Sequence, residues 1–141
     1  MKHYTLGFVF NSELNEVLLI HKNRPEWQKG KINGPGGKVE PDEEPKACIS
    51  REIREETGLS IPIHEWTAVG EMNHVEWNVQ LFAVSYKGKK YDVQSLTDEK
   101  LEWFPTEKIP ANVIPNLHWL IPLCKDKLAG REVSVIRVEY T

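Results

Sequence analysis

Apolar residues along the chain come in short runs, and the spacing within each run predicts an element. "YTLGFVF" and "EVLLIHK" are apolar runs split by the polar, turn-like "NSELN", which predicts the two strands of a hairpin. The next segment, "NRPEWQKGKINGPGG", has no period and is expected to be loop. From Lys46 to Thr57 the period becomes helical, with Ala47, Ile49 or Ser50, and Ile53 on one face. Pro45 near the start and Gly58 just past the end mark both termini of this helix. "WTAVGEM" and "NVQLFAVSYKG" predict strands, the second alternating well enough to bury one face, and "LEWFP" predicts a short strand or strand end. "ANVIPNLHWLIPLCKDKLAG" predicts a second helix ending at Gly130, kinked or started late because of Pro115 and Pro122. "REVSVIRVEYT" is expected to close the chain as a strand. Strands on both sides of a helix, with a second helix near the end, imply an α/β fold with a mixed sheet covered by helices.

Composition narrows the class. A chain of 141 residues is long enough for one core and too short to divide comfortably, so residues 1–141 are expected to form a single domain. Hydrophobic content of 40%, charged content of 28% and a net charge of -3 describe a soluble globular protein and argue against bulk nucleic-acid binding by a positive surface. The apolar run in "MKHYTLGFVFNSE" is too short for a signal-peptide core and far below a membrane span. The expectation is therefore a cytoplasmic protein with no membrane partner. Cys48 and Cys124 lack CxxC spacing and are read as reduced. No feature indicates an oligomeric state.

The densest chemistry lies in "GPGGKVEPDEEPKACISREIREETGL", Gly34 to Leu59. Glu52, Glu55 and Glu56 stand at i, i+3 and i+4, on one face of the predicted helix. Like charges so placed cost a few tenths (~0.2–0.5) of a kcal/mol per pair, and they sit toward the end of the helix that disfavours negative charge. Two readings stay open on the helix alone. Arg51, Arg54 and Lys46 can balance a solvated acidic face, or a divalent cation such as magnesium, which takes oxygen ligands, can neutralise it. Upstream, "GPGGK" supplies glycines that permit close approach of backbone to a ligand.

Gly37, Glu43 and the run Arg51-Glu52-Ile53-Arg54-Glu55-Glu56-Thr57-Gly58-Leu59 resemble the Nudix box of the Nudix hydrolase family at every specified position. The resemblance implies an α/β/α sandwich and hydrolysis of a nucleoside diphosphate linked to another group. It makes Glu52, Glu55 and Glu56 the ligands of magnesium, with manganese as a substitute, and adds the Gly37 carbonyl to the set. Arg51 would hold a glutamate by a salt bridge, and Glu43 would support the loop-helix junction. The family often draws a further catalytic acid from outside the box; in "TDEKLEWF" the first candidate is Glu99 and the second Glu102, although either also fits an exposed acidic turn.

The stretch "GKINGPGGKVE" looks closest to the MutT-like branch, the oxidised-purine nucleoside triphosphate hydrolases. By that likeness Asn33 and Asn116 contact the base, Trp27 lines its pocket and Lys38 joins them as a substrate contact. The partner implied is a small-molecule nucleotide, a purine deoxynucleotide such as an oxidised dGTP, cleaved to the monophosphate and pyrophosphate. Structural roles fit the same residues: Asn33 as a turn residue, Asn116 as a helix N-cap, and Trp27 or Trp119 as core. His74, Glu76 and Trp77 can border the pocket or face solvent on a strand. Leu117 stands where some relatives carry a second pocket acid, and the proline and tyrosine of the ADP-ribose and dinucleoside polyphosphate branches are missing. Other readings are hydrolysis of a different capped diphosphate (an RNA 5′ end, a nucleotide sugar or a dinucleoside polyphosphate) and a nucleotide-binding module without catalysis, against which the intact box argues.

Overall fold

Eight strands and two helices organise the computed structural model, which describes all 141 residues. In chain order they are β1 (Lys2–Phe10), β2 (Glu16–His21), β3 (Ile32–Asn33), β4 (Gly36–Lys38), α1 (Pro45–Thr57), β5 (Thr67–Asn73), β6 (Trp77–Ser85), β7 (Leu101–Pro105), α2 (Leu117–Leu128) and β8 (Ile136–Glu139). All strands join one sheet in the order β3-β2-β1-β6-β5-β8, with β4 also on β1 and β7 also on β2. The β1–β6 and β5–β8 pairs are parallel and the rest antiparallel, so the sheet is mixed.

Alternating side chains feed two cores. Leu6, Phe8 and Phe10 of β1 and Leu81 and Ala83 of β6 pack against Leu117, Leu120, Ile121 and Cys124 of α2. Val9, Leu18, Ile20, Phe82 and Val84 face the other way, toward Ile49 and Ile53 of α1 and the buried Trp66. Burial on both faces is why β1 and β2 read as continuous apolar runs, and it corrects the reading of β6 as a strand with one buried face, since Leu81 and Ala83 enter one core and Phe82 and Val84 the other. At Gly7 the helix comes close enough that an added Cβ would lie 2.7 Å from the Ile49 side chain. The polar residue on the buried face of α1, Ser50, is satisfied twice: its hydroxyl donates to the Ile61 carbonyl at 2.8 Å and accepts the Trp66 indole N–H at 2.8 Å.

The helix signals hold. Pro45 occupies the first turn of α1, and Gly58, at φ 77°, caps it by donating its N–H to the Arg54 carbonyl. Late starting, one of the two options for α2, is what occurs: the helix begins two residues past Pro115 and contains Pro122.

Three further expectations need correction. The predicted hairpin does form, with β1 and β2 antiparallel at Val9–Leu18 and Phe10–Val17, but beyond these pairs the strands diverge as a fork. Into the opening run β3, paired with the end of β2, and β4, paired with the first half of β1; both lie in the segment expected to be plain loop. Two- and three-residue strands of Ile, Asn, Gly and Lys are too short to show a period. The C-terminal strand is confined to Ile136–Glu139, which pair with Gly70–Asn73 of β5, and residues 131–135 lie outside it. Neither Trp27 nor Trp119 is core, both being exposed, and the buried indole is Trp66.

The two cysteines are free and buried on opposite faces of the sheet, Cys48 on α1 and Cys124 on α2. Burial pushes their thiols up to about 11 and about 12, so both are neutral at ordinary pH. No helix is long and apolar enough to cross a membrane.

Candidate active site

The fork between β1 and β2 opens a cleft of about 770 Å³. Tyr4, Thr5 and Leu6 of β1 line its floor, Gly34, Gly36 and Gly37 one end, and Trp77 and Val79 of β6 a side. Gly36 has to be glycine for its strand to sit there, because a Cβ would collide with the Thr5 backbone. The acidic helix stands immediately behind this glycine end. Glu56 Oε2 accepts the Gly36 N–H at 3.1 Å, and an added Cβ at Gly37 would collide with the Glu52 carboxylate. The box glutamates border the cleft through these two glycines.

Arg51 organises the carboxylates. Its Nε and Nη2 donate to both oxygens of Glu43, at 2.7 Å and 3.0 Å. Nη1 donates to Glu52 at 3.0 Å and to Glu55 at 3.2 Å, while Nη2 also reaches the Lys38 carbonyl at 3.2 Å. The expected salt bridge from Arg51 to a glutamate is present, and Glu43 does sit at the loop-helix junction, accepting the Glu40 N–H at 3.0 Å. Hydrogen bonds from Arg51 hold the Glu43 carboxyl down at about 2 against its own burial. Glu52 and Glu56 go the other way. Burial raises both; Arg51 opposes the rise at Glu52, whereas at Glu56 the charge of Glu52 adds to it and takes the carboxyl to about 8.

The expected set of three metal-ligating glutamates is not assembled in one place. No group of three acidic, histidine or cysteine side chains lies close enough to hold an ion between them. Glu55, with 54% of its side chain exposed, is turned to Arg51, the nearest positive charge to a carboxylate that its neighbours repel. What does adjoin the cleft is a pair, Glu52 and Glu56, against the Gly36–Gly37 backbone. The donors available there, carboxylate and peptide oxygens, fit a hard cation such as magnesium or manganese, and such a cation relieves both the burial of the two carboxylates and the raising of Glu56 by the charge of Glu52.

Glu99 is not a free acid at the cluster. It is 5% exposed, its Oε1 accepts from Lys22 Nζ at 3.0 Å, and its Oε2 accepts the backbone N–H groups of Asn23 and Arg24 at 2.6 Å and 3.2 Å. Burial opposes its ionisation, but these donors outweigh it and hold the carboxyl below its ordinary value. Its visible work is to fix Lys22, which lines the cleft and whose charge counteracts the rise at Glu56. Glu102 pairs with His21 at 2.9 Å on the surface. Lys22 was missed in the sequence because its value depends on Glu99, 77 residues away; a lysine closing a strand next to a glycine loop is the only local signal.

The same cleft gathers the expected base-contacting residues. Trp27, 64% exposed, stands at the rim, and Asn33, Asn116 and Lys38 are in the lining. Asn33 also serves its own turn: Oδ1 accepts the Gly34 N–H at 2.8 Å and Nδ2 donates to Gln28 at 3.0 Å. Asn116 does not act as a side-chain N-cap. Its Nδ2 approaches Met72 Sδ at 3.4 Å and Tyr140 Oη at 3.3 Å, and its Oδ1 is buried without a partner. The segment before α2 is brought here by pairing with β3, the Ile114 N–H donating to the Ile32 carbonyl at 2.8 Å. Of the open candidates, Trp77 lines the cleft, stacked on His74 at 5.4 Å. Gln28, Met72 and Tyr140 complete the lining with no sequence signal of their own.

Comparison with known proteins agrees with this arrangement. Residues 1–123 match the NUDIX domain. A Bacillus subtilis (strain 168) protein provisionally named an 8-oxo-dGTP diphosphatase is 28% identical over 116 residues, covering 80% of this chain and 74% of that protein. The human 8-oxo-dGDP phosphatase NUDT18 is 31% identical over 113 residues, covering 76% of this chain but only 33% of its own length. Among solved structures, the MutT NUDIX hydrolase from Burkholderia pseudomallei superposes with a TM-score of 0.72 at 20% identity, over 86% of this chain and 96% of that one, a likeness of fold. With the box on a loop and helix behind a forked mixed sheet, and with the match running through most of the chain, the protein belongs to the Nudix hydrolase family, whose reaction is the hydrolysis of a phosphoric anhydride.

Proposed function

We propose that this Nudix hydrolase cleaves a nucleoside triphosphate, a purine deoxynucleotide such as an oxidised dGTP, to the monophosphate and pyrophosphate. The observation that carries the reading is the continuity of one cleft, lined both by amide and indole side chains and by the glycines that Glu52 and Glu56 back. A base and a phosphate chain attached to the same sugar need those two chemistries in one groove. The names of the Bacillus and human relatives share an oxidised deoxyguanosine nucleotide, a triphosphate in the first and a diphosphate in the second.

Glu52, Glu56 and the Gly37 carbonyl would hold magnesium or manganese, joined by Glu55 on a rotamer away from Arg51. Bound there, the metal supplies neutralisation of phosphate charge and a water of lowered pKa. The chain does the rest. Lys22, fixed by Glu99, and Lys38 offer ammonium groups to the phosphates, and Arg51 keeps the glutamates spaced. Trp27 offers a face on which a base can stack, and the amides of Asn33 and Asn116 offer hydrogen bonds to its edge.

The test is a panel of nucleotides with magnesium, scoring pyrophosphate against orthophosphate, for wild type and for Glu52→Gln and Glu56→Gln. Pyrophosphate from a purine triphosphate, lost in both variants, is the expected result. Cleavage of nucleotide sugars, capped RNA ends or dinucleoside polyphosphates with no cleavage of triphosphates would replace this reading with one of those substrates. Binding without any cleavage would make the protein a nucleotide-binding module.

A further inference from the structure

Tyr140 lies outside the stretch that matches the family, residues 1–123, yet it forms part of the cleft wall. The last strand puts it there. β8 pairs in parallel with β5 from Gly70–Ile136 to Asn73–Glu139, and an added Cβ at Gly70 would collide with the Ile136 backbone. One residue further on, the Tyr140 N–H donates to the Asn73 carbonyl at 2.7 Å, so the backbone is held up to the residue whose ring lines the cleft.

The ring then meets two cleft residues. Its centroid is 5.5 Å from that of Trp77, tilted by 46°, and its hydroxyl accepts from Asn116 Nδ2 at 3.3 Å. Both donors of the Asn116 amide are engaged, one by Met72 and one by Tyr140, while its buried Oδ1 has no partner. The orientation of that amide therefore rests on two weak contacts, and Tyr140 supplies one of them. The tyrosine hydroxyl, having accepted a hydrogen bond, keeps its own proton for a further acceptor. By the sheet order, Trp77 and Tyr140 stand on one side of β1, and Trp27 and Asn33 on the other. A planar ring entering the cleft would lie between them.

We propose that Tyr140 is a specificity-determining residue for the base of the nucleotide: its hydroxyl donates to an acceptor on the base edge while it orients the Asn116 amide beside it. This rests on the function proposed above. The ligand chemistry selected is an aromatic base with a ring-edge carbonyl or ring nitrogen, and the selectivity is contributed by the C-terminal strand rather than by the box.

Tyr140→Phe removes the hydroxyl and keeps the ring against Trp77; Tyr140→Leu removes both. Each is assayed with magnesium on the preferred purine triphosphate and on 2-deoxyribose 5-triphosphate, which has no base, with a thermal melt beside each assay. Losing one hydrogen bond should raise KM for the purine nucleotide roughly 3- to 10-fold in Tyr140→Phe with kcat retained, and more in Tyr140→Leu. The values for the base-free substrate should stay at those of wild type. An unchanged purine KM, or equal losses on both substrates, overturns the role of Tyr140 while leaving the hydrolase reading in place. Wild type that cleaves neither substrate overturns the nucleoside triphosphate reading and this inference with it.

Discussion

The Arg51 guanidinium grips both oxygens of Glu43 with parallel hydrogen bonds while its remaining nitrogen holds Glu52 and Glu55. One planar cation thus spaces three carboxylates, a geometry that the point charge of a lysine cannot reproduce. Arg51→Lys is expected to lose about 2 kcal/mol of unfolding free energy in urea titrations, the scale of a hydrogen bond to a charged group. Turnover should fall with it. A loss under about 0.5 kcal/mol would place the Arg51 cluster among surface ion pairs of little consequence.

The same pair sets an acid limb. Glu43 is held at about 2 in the folded chain against an ordinary 4.5, so the stability it contributes is complete above 4.5 and disappears as pH falls toward 2. Urea midpoints measured down that window should drop in wild type and drop less steeply in Glu43→Gln. Parallel curves for the two proteins would show that other carboxylates govern acid unfolding.

Glu56 gives the opposite slope. Burial first, and then Glu52, raise it from 4.5 to about 8, so the folded chain keeps a proton that the unfolded chain has released. Without metal, stability should therefore decline as pH rises from 4.5 through 8, and Glu56→Gln should flatten the decline. Magnesium competes with that proton and should raise the melting temperature more at the upper end of the window than at the lower. A magnesium shift independent of pH would mean that the ion binds away from Glu56.

Glu99 and Glu102 separate cleanly. Glu99→Gln weakens the grip on Lys22 and on the Asn23 and Arg24 amides, so the expected results are a raised KM for the nucleotide and faster hydrogen exchange at those two amides. Glu102→Gln touches only the surface pair with His21 and should change neither. A fall in kcat for Glu99→Gln with KM and exchange unchanged would assign it the role of a catalytic acid.

What the sequence showed depended on range. Helix α1 was legible because Pro45, Gly58 and a helical period lie within one window, and the box residues act within that same window. The fork was not, because β3 and β4 are shorter than any period and are defined by partners in β1 and β2. Glu99 is legible as a candidate acid, but its partners are not, since nothing local announces that Lys22 and two amides across the fold will occupy it. Glu55 shows the converse: its spacing was right, and the competing hold of Arg51, four residues earlier, decided where the side chain points.

The forked sheet also divides what natural selection can alter independently. Glu52, Glu55 and Glu56 ride on one helix, and the first two are tied with Glu43 to one arginine, so few of them can change without disturbing the rest. Trp27, Asn33, Asn116 and Tyr140 come from four separate stretches that meet only at the cleft. Each can be replaced without moving the helix, so descendants of this chain are free to exchange one ligand for another while inheriting the same anhydride chemistry.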